Sequence, residues 1–318
     1  MARLKMILNP IADRSHAAAA GLELQAAVER VVEQASRPGG ERYELEWVWT
    51  TYYRHAVELA RTAAEEGFDT VVAIGGDGTV HEVINGLMQV EASRRPRLGI
   101  IPFGSGNDFA HNFGLPMDVT GAARCLLGDT TRRVDVGVIA DGSGQREYWD
   151  NTVGVGFSGA VNIATRRYKR VRGFMMYLAA VIETIAARPF ALHTRVAVDD
   201  GAPAEYDVAM IAIANGPREG GGFHVAPGAE MDDGLITYVI MRRMSRAHMA
   251  RFLPVVLNGQ HLKYPRFFEK GEAKTIRIES DQTMAIHADG EVFGPWEADI
   301  RELEIGIVPS AIDVLCSC

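Results

Sequence analysis

The segment VVAIGGDGTVHEVINGL, residues 71–87, places three glycines around one aspartate, between a predicted strand and a predicted helix. Backbone N–H groups at the start of a helix attract anions, and glycines let phosphate oxygens approach the backbone closely. Asp77 would repel bare phosphates, so we expect a divalent cation or a ribose hydroxyl between them. The structural alternative is a tight turn in which Asp77 caps the helix. The predicted phosphate loop consists of Gly75, Gly76, Asp77, Gly78 and Thr79.

A second glycine-rich loop follows the next apolar run, in RLGIIPFGSGNDFA, residues 97–110. A third polar turn, at Asn9 and Pro10, follows the first apolar run. Because the carboxyl ends of neighbouring strands in an α/β sheet meet at one crevice, we expect these loops to lie together. The chain contains no Gly-x4-Gly-Lys-Ser/Thr pattern, which excludes a Walker-type P-loop. The second loop comprises Gly104, Ser105, Gly106, Asn107 and Asp108.

The periodicity of the sequence divides the chain into two domains. Over residues 1–133, apolar runs of strand length alternate with amphipathic helices, which predicts an α/β domain. Over residues 134–304, short alternating runs predict a β-rich, mostly antiparallel domain, interrupted by helices near residues 160–187 and 245–258. We find no internal repeat and no low-complexity linker between them.

Composition excludes several functional classes. The net charge of −8 argues against general binding to nucleic acid or to an anionic membrane, although a local basic patch could still act, and we expect no nucleic-acid partner. The most apolar helical stretch, FMMYLAAVIETIAA, is shorter than the roughly 20 residues that span a bilayer. The start of the chain, MARLKMILNP, has no long apolar region typical of a signal peptide. Its three cysteines, Cys125, Cys316 and Cys318, favour a reducing cytoplasm over a disulfide framework.

The ordered set of motifs resembles the catalytic domain of the diacylglycerol kinase and sphingosine kinase family, most closely the soluble bacterial lipid kinases. The resemblance rests on GGDGTVHEVINGL, IPFGSGNDFA, TTYYRHAVELA, NGPREGGGFHVAPGAEMDDGLITYVI and HADGE, which together span most of the chain. It implies a three-layer α/β nucleotide-binding domain, like that of NAD kinases and diacylglycerol kinases. A sandwich-like lipid-binding domain would follow, and the C-terminal segment 305–318 would return to the first domain.

The resemblance also implies roles for individual residues. Asp77 would bind the catalytic magnesium that accompanies ATP, while Asn9, Thr51 and residues 104–107 would line the nucleotide site. Asp289 matches the general base of the family, and Glu291 would orient or balance the charge of the metal site. A carboxylate is suited to this task because the lipid hydroxyl must lose its proton as the bond to phosphorus forms. Diacylglycerol is the expected acceptor, at a membrane surface that the enzyme contacts only peripherally.

A second, structural magnesium site is implied near the end of the lipid-domain motif. Asp232 and Asp233 would supply carboxylates, and Leu235 would supply its backbone carbonyl. An all-oxygen donor set of this kind suits magnesium. The alternative is a polar turn that leads into the strand LITYVI.

Three positions depart from the family pattern. Asp13 and Arg54 stand where relatives often have glycine, and Ser158 stands where many bacterial relatives have aspartate. Asp13 would repel ATP phosphates unless it turns away or meets a cation, and Arg54 would add a phosphate contact. Ser158 leaves the lipid head group open, so sphingoid bases, ceramide, phosphatidylglycerol and polyprenol-like alcohols stay as alternative acceptors. A homodimer is one candidate assembly.

Other functions compete with a lipid kinase. NAD kinases carry a similar Gly-Gly-Asp-Gly loop, but the downstream motifs favour the lipid enzymes. A catalytically silent nucleotide- or lipid-binding module is a further alternative, against which the intact Asp77, Asp289 and Glu291 argue. GVGFSG also fits the Gly-x-Gly-x-x-Gly pattern of dinucleotide-binding oxidoreductases, which requires a parallel βαβ unit. The cationic run RRYKRVR, residues 166–172, is either a contact for anionic lipid or a solvated helix face.

Overall fold

A computed structural model describes residues 1–10, 17–35, 42–168, 171, 173–187 and 191–316. Asp13 and Cys318 lie outside these residues. The chain forms two compact units. The N-terminal unit comprises Met1–Val134 with Ser310–Cys318, and the C-terminal unit comprises Asp135–Pro309.

The N-terminal unit has the predicted alternation of strands and helices. Apolar side chains cover both faces of its inner strands, as the buried run Thr70–Gly75 shows, because helices pack on each side of the sheet. Its elements are β1 (Ala2–Leu8), α1 (Ala17–Ala35), β2 (Tyr43–Trp49), α2 (His55–Glu65), β3 (Thr70–Gly75), α3 (Asp77–Leu87), β4 (Arg97–Pro102), α4 (Asp108–Asn112), α5 (Val119–Cys125) and the start of β5 (Thr131–Asp141).

The first four strands form a parallel sheet in the order β2-β1-β3-β4. The end of the last strand of the chain extends this sheet, since Val314 pairs in parallel with Leu98 of β4. Helix α1 packs with α5 and α2 packs with α3, so the helices form two pairs. Gly86 permits the second pairing, because a Cβ there would lie 2.3 Å from the carbonyl oxygen of Val57. All carboxyl ends of these parallel strands therefore lie at one edge of the sheet.

The C-terminal unit is β-rich, as the alternating pattern predicts. The run EYWDNTVGVGF contains two strands, and the helical region predicted near residues 160–187 contains two helices. Its further elements are β6 (Arg146–Trp149), β7 (Thr152–Gly156), α6 (Phe157–Thr165), α7 (Gly173–Ala187), β8 (Leu192–Val198), β9 (Ala204–Ala214), β10 (Ile236–Arg242), α8 (Arg246–Leu257), β11 (Phe268–Ala273), β12 (Thr275–Ser280), β13 (Ile286–Ala288), β14 (Glu291–Gly294) and β15 (Glu302–Leu315).

Antiparallel pairing builds the sheet of this unit in the order β14-β13-β7-β9-β8-β12-β15. β10 pairs with both β9 and β11. One apolar cluster lies around Trp149, which is fully buried. A second cluster joins α6, α7 and α8 to β9 and β10. No helix among the described residues is long and apolar enough to cross a membrane.

His261 is a buried titratable group in the second cluster. Its side chain is 1% exposed, and its ring meets the ring of Phe268 edge-on with centroids 4.9 Å apart. Burial lowers the pKa of His261 to about 4, against a smaller opposing effect of a hydrogen bond with the backbone of Val225. The folded protein therefore keeps this imidazole neutral at pH values where the unfolded chain protonates it.

We expect this histidine to make folding stability dependent on pH. Above about pH 6.5 both states are neutral; as the pH falls toward about 4, the unfolded state alone gains a proton, and stability falls. The full effect, reached below about pH 4, is on the order of 3 kcal/mol, and melting temperatures at pH 7.5 and 5 measure roughly 2 kcal/mol of it. His261→Leu should flatten this dependence, whereas the control His193→Leu, at a half-exposed site, should retain or steepen it, because the hydrogen bond with Asp207 raises the pKa of His193 and so favours the folded state at low pH. Equal slopes in all three proteins would contradict the assignment.

Candidate functional site

The predicted nucleotide residues follow four parallel strands of the N-terminal unit. Asn9 follows β1, Thr51 lies two residues after β2, Gly76 follows β3, and Gly104 lies two residues after β4. The chain crosses from β2, on one side of β1, to β3 on its other side. The direction of the connections therefore reverses around β1, at the type of position where open α/β sheets bind ligands.

The two glycine loops touch each other through their backbones. A Cβ on Gly104 would lie 2.3 Å from the Cα of Gly76, so a larger residue would force the loops apart. Asn107 closes the second loop, since its Oδ1 accepts the N–H of Gly104 and its Nδ2 donates to the carbonyl of Gly104. Asn107 adopts a left-handed conformation, with φ at 54°. Ser105 is exposed at the tip of this loop.

Asp77 links the β3–α3 loop to α4. Its Oδ1 accepts the backbone N–H of Phe109 at 3.1 Å, near the start of α4. Its Oδ2 lies 2.7 Å from the position that a Cβ on Gly106 would occupy, so this glycine leaves room for the carboxylate. Asp77 is also the first residue of α3, where the helix dipole favours negative charge. Gly78 is half-buried in the same first turn.

Asn9 and Thr79 form the third contact of this site. The Nδ2 of Asn9 donates to the Oγ1 of Thr79 at 3.0 Å, and Thr79 is buried. Gly75 accommodates this threonine, since a Cβ there would lie 2.2 Å from the Oγ1. The structure thus brings together Asn9, Gly75, Gly76, Asp77, Thr79, Gly104, Gly106 and Asn107. Thr51 lies at the exposed end of β2, where its N–H donates to the Nδ1 of His55.

Glu82 supports this edge, a role that the sequence analysis did not predict. Its two carboxylate oxygens accept the N–H groups of Arg54 and Ala56, each at 3.1 Å, and so cap the start of α2 from α3. Arg54 has φ at 65°, a conformation that favours glycine. The backbone at this position therefore suits the glycine that the family resemblance implies there.

In the C-terminal unit, Asp289 lies on the turn between β13 and β14 and is 8% exposed. Its Oδ2 accepts the N–H of Asp150, and its Oδ1 accepts the N–H groups of Asn151 and Thr152, at 2.8 to 2.9 Å. Its own φ is 49°, in the left-handed region. These three donors fix the orientation of the carboxylate. Glu291 begins β14, two residues later, and is half-buried.

A buried polar cluster packs beside this turn. Gly154 permits it, since a Cβ there would lie 2.0 Å from the Oγ of Ser158 and 2.2 Å from the Nε2 of His287. The Nδ1 of His287 accepts the N–H of Gly290, and its Nε2 lies 3.6 Å from the Oε2 of Glu219. The Ser158 hydroxyl has no hydrogen-bond partner within the described part of the chain. The role of Glu219 beside His287 had no signal in the sequence.

The same packing explains the glycines of GVGFSG. β7, which carries them, pairs antiparallel with β9 and β13. It therefore does not start the parallel βαβ unit that a dinucleotide-binding fingerprint requires. Gly154 and Gly159 allow close packing, and Gly156 adopts a positive φ of 84°.

The turn at residues 231–235 is organised around Asp135. The Oδ2 of Asp135 accepts the N–H of Gly234 at 2.6 Å, and the side chain of Asp135 is buried. Asp232 and Asp233 are exposed, and the Oδ1 of Asp233 accepts the N–H of Leu235 at 2.9 Å. Carboxylate and carbonyl oxygens in this turn are ligands that suit magnesium. Asp135 holds the turn in shape, a role that sequence reasoning missed.

Family models match nearly the whole chain. Residues 3–139 match the diacylglycerol kinase catalytic domain, and residues 151–316 match the YegS C-terminal NAD kinase beta sandwich-like domain. This chain belongs to the diacylglycerol kinase and YegS-like family of lipid kinases. The predicted resemblance and the predicted kinase class are thereby confirmed.

Two curated relatives agree with this assignment, and two solved structures share the fold. A Chromohalobacter salexigens protein named "Probable lipid kinase YegS-like" is 34% identical over 85% of this chain and 82% of its own length. A Mycobacterium tuberculosis diacylglycerol kinase is 32% identical over 82% of this chain and 81% of its own length. A crystal structure of a diacylglycerol kinase from Bacillus anthracis shares the fold, with a TM-score of 0.71 at 19% identity over 99% of this chain and 97% of that one. An ATP-bound Archaeoglobus fulgidus NAD kinase matches at 0.51 and 12% identity, over 98% of this chain and 93% of that one.

The backbone contact between Gly76 and Gly104 gives a direct test of the nucleotide site in this lipid kinase. Gly104→Ala should weaken ATP affinity at least about tenfold, because its Cβ would displace the two loops that are predicted to form the phosphate site. Isothermal titration calorimetry of the purified variant with ATP measures this affinity. The matched control is Gly128→Ala in the same unit, whose Cβ would be 3.7 Å from its nearest neighbour. Equal ATP affinity in both variants would exclude the loop contact as a determinant of binding.

Proposed function

We propose that this lipid kinase transfers the γ-phosphate of ATP to the hydroxyl of diacylglycerol, which yields phosphatidic acid and ADP. The buried, firmly oriented carboxylate of Asp289 carries the proposal, because three backbone N–H groups hold it on a turn with an unusual backbone conformation. A catalytic base needs this kind of fixed orientation toward the proton that it accepts. The relatives named diacylglycerol kinase support diacylglycerol as the acceptor.

In the proposed reaction, Asp289 accepts the proton of the lipid hydroxyl while the hydroxyl oxygen bonds to the γ-phosphorus. The bond from that phosphorus to the β,γ-bridging oxygen breaks, and ADP leaves with the electron pair. The start of α3 and residues 104–107 would bind the phosphates through backbone N–H groups. Glu291 would orient groups around the base.

Magnesium fits the carboxylates of both units. Asp77 presents an oxygen ligand beside a helix start that favours anions, so it would bind the ion that accompanies ATP. The ion would neutralise charge on the phosphates. Asp232, Asp233 and the carbonyl of Leu235 would bind a second, structural ion. We also propose that the enzyme is cytoplasmic and contacts the membrane only at its surface.

Transfer of labelled γ-phosphate to a lipid panel tests this function. Diacylglycerol, sphingosine, ceramide, phosphatidylglycerol and a polyprenol serve as acceptors, with NAD as the soluble control. We expect label on diacylglycerol, and a loss of about 10²- to 10⁴-fold in Asp289→Asn, because the base is absent. Binding of ATP to the N-terminal unit should persist in this variant.

Asp199→Asn is the matched control for structural damage. Asp199 also lies in the C-terminal unit with φ at 49°, and its Oδ1 accepts the N–H groups of Lys274 and Thr275. Its pKa is lowered by these backbone hydrogen bonds, chiefly that of Thr275. Asp289→Asn and Asp199→Asn should each lower the melting temperature, but only Asp289→Asn should show the large loss of phosphate transfer. Equal transfer by both variants would reject Asp289 as the base, and label on NAD alone would reject lipid as the acceptor.

A further inference from the structure

The turn that carries Asp289 lies at the tip of a short hairpin. β13 has three residues and β14 has four, and β14 ends the strand order of the sheet. The register of this pair also shifts between Ile286 and His287. Only a few ladder hydrogen bonds therefore hold the tip on the side of β14, and a short edge hairpin has little stability of its own.

The backbone of this turn does not fix itself. Asp289 and Gly290 both have positive φ, at 49° and 81°, as in a two-residue hairpin loop. Two peptide groups join Asp289 to Glu291; the first carries the N–H of Gly290 and the second carries its carbonyl. Glycine adopts either sign of φ at little cost, so Gly290 does not itself resist rotation of these peptides. Their orientation sets how the two carboxylates lie relative to each other.

His287 holds the first of the two peptides. Its Nδ1 accepts the N–H of Gly290 at 3.4 Å, and its side chain is buried. A ring nitrogen that accepts a hydrogen bond carries no proton, so the proton of the neutral imidazole lies on Nε2. This nitrogen faces the Oε2 of Glu219 at 3.6 Å, an arrangement that favours the same tautomer.

Asn162 holds the second peptide from helix α6. Its Nδ2 donates to the carbonyl of Gly290 at 2.5 Å, and the residue is 4% exposed. The neighbouring Val161 and Ala164 of the same helix belong to the second apolar cluster. A buried amide in such surroundings is costly unless it forms hydrogen bonds. The contact with the turn therefore explains a polar side chain at this position of α6.

We propose that His287 and Asn162 are positioning residues for phosphate transfer. They hold the two peptides between Asp289 and Glu291, and thereby keep the base and the second carboxylate in a fixed relation. The N–H groups of residues 150–152 hold the carboxylate of Asp289, and the two positioning residues hold the backbone that follows it. The inference rests on the proposed role of Asp289 as the base, but it does not depend on which lipid accepts the phosphate.

Steady-state kinetics of the full chain test this role. His287→Phe keeps a ring without an acceptor, and Asn162→Leu keeps a similar volume without a donor. Each variant should lower kcat about 10- to 100-fold, because a misplaced base slows the chemical step. The KM for ATP should stay within about twofold, since neither residue contributes to the nucleotide site of the N-terminal unit.

A conservative variant and a matched control separate positioning from loss of structure. His287→Asn should recover most of the rate, because the Oδ1 of asparagine lies close to the position of Nδ1 and accepts the same N–H. The control is His261→Phe, at another buried histidine of the same unit that bonds to the backbone, and it should retain the kcat of wild type. Equal losses in His261→Phe and His287→Phe would overturn the proposal.

A double variant tests whether Asn162 acts through the base. Asn162→Leu combined with Asp289→Asn should transfer phosphate no more slowly than Asp289→Asn alone, because a positioning residue has no effect once the base is absent. A further loss as large as that of Asn162→Leu alone would assign Asn162 to the support of the fold and overturn the proposal. A wild-type kcat in both His287→Phe and Asn162→Leu would also overturn it.

These outcomes differ from a failure of the proposed function. Label on a lipid other than diacylglycerol would reject only the acceptor, and the same variants would then be compared on that lipid. Undiminished transfer by Asp289→Asn, or transfer to no lipid by wild type, would reject the proposed function and the positioning role together. A large loss in Asp289→Asn with no loss in the positioning variants would reject the positioning role alone.

Discussion

The contact between the backbones of Gly76 and Gly104 is the constraint on which the predicted nucleotide site depends. Parallel pairing brings the ends of β3 and β4 to one edge of the sheet, but only bare backbone lets their loops meet at this distance. The carboxylate of Asp77, in the first of these loops, accepts the N–H of Phe109, which follows the second loop. This hydrogen bond sets the position of the carboxylate. The glycines, which lose much conformational freedom on folding, therefore determine the shape of the loops that are proposed to bind phosphates and a cation.

Asp289 has both a structural role and a proposed chemical one. Its carboxylate closes the junction between β6 and β7 through three N–H groups, so its removal would disturb local structure as well as the proposed proton transfer. Asp199 has the same backbone conformation and similar partners in a part of the unit that has no proposed catalytic role. A left-handed aspartate that accepts backbone hydrogen bonds is therefore not by itself a sign of catalysis. The proposal that Asp289 is the base therefore also depends on the Asp-Gly-Glu sequence and on the family membership of the chain.

Helix α7 shows two opposing demands on one element. Its inward face packs in the core and reaches the turn at Gly290 through Tyr177, which requires apolar and aromatic side chains. Its outward face leaves Met175 and Ile182 in solvent, where burial would be favourable and exposure gives no stability. Such a face reduces solubility unless it has a partner, so its presence is better explained by function than by folding.

Local sequence determined much of this protein. The alternation of strands and helices predicts the α/β unit, the short alternating runs predict the β-rich unit, and the glycines around Asp77 predict a phosphate loop. These features depend on periodicity and on backbone freedom, which neighbouring residues reveal. Tertiary structure alone decided that Glu82 caps α2, that residues 150–152 hold Asp289, and that Asp135 shapes the turn at Gly234. Those partners lie far apart in the chain, and no local pattern specifies which distant N–H group a buried carboxylate will meet.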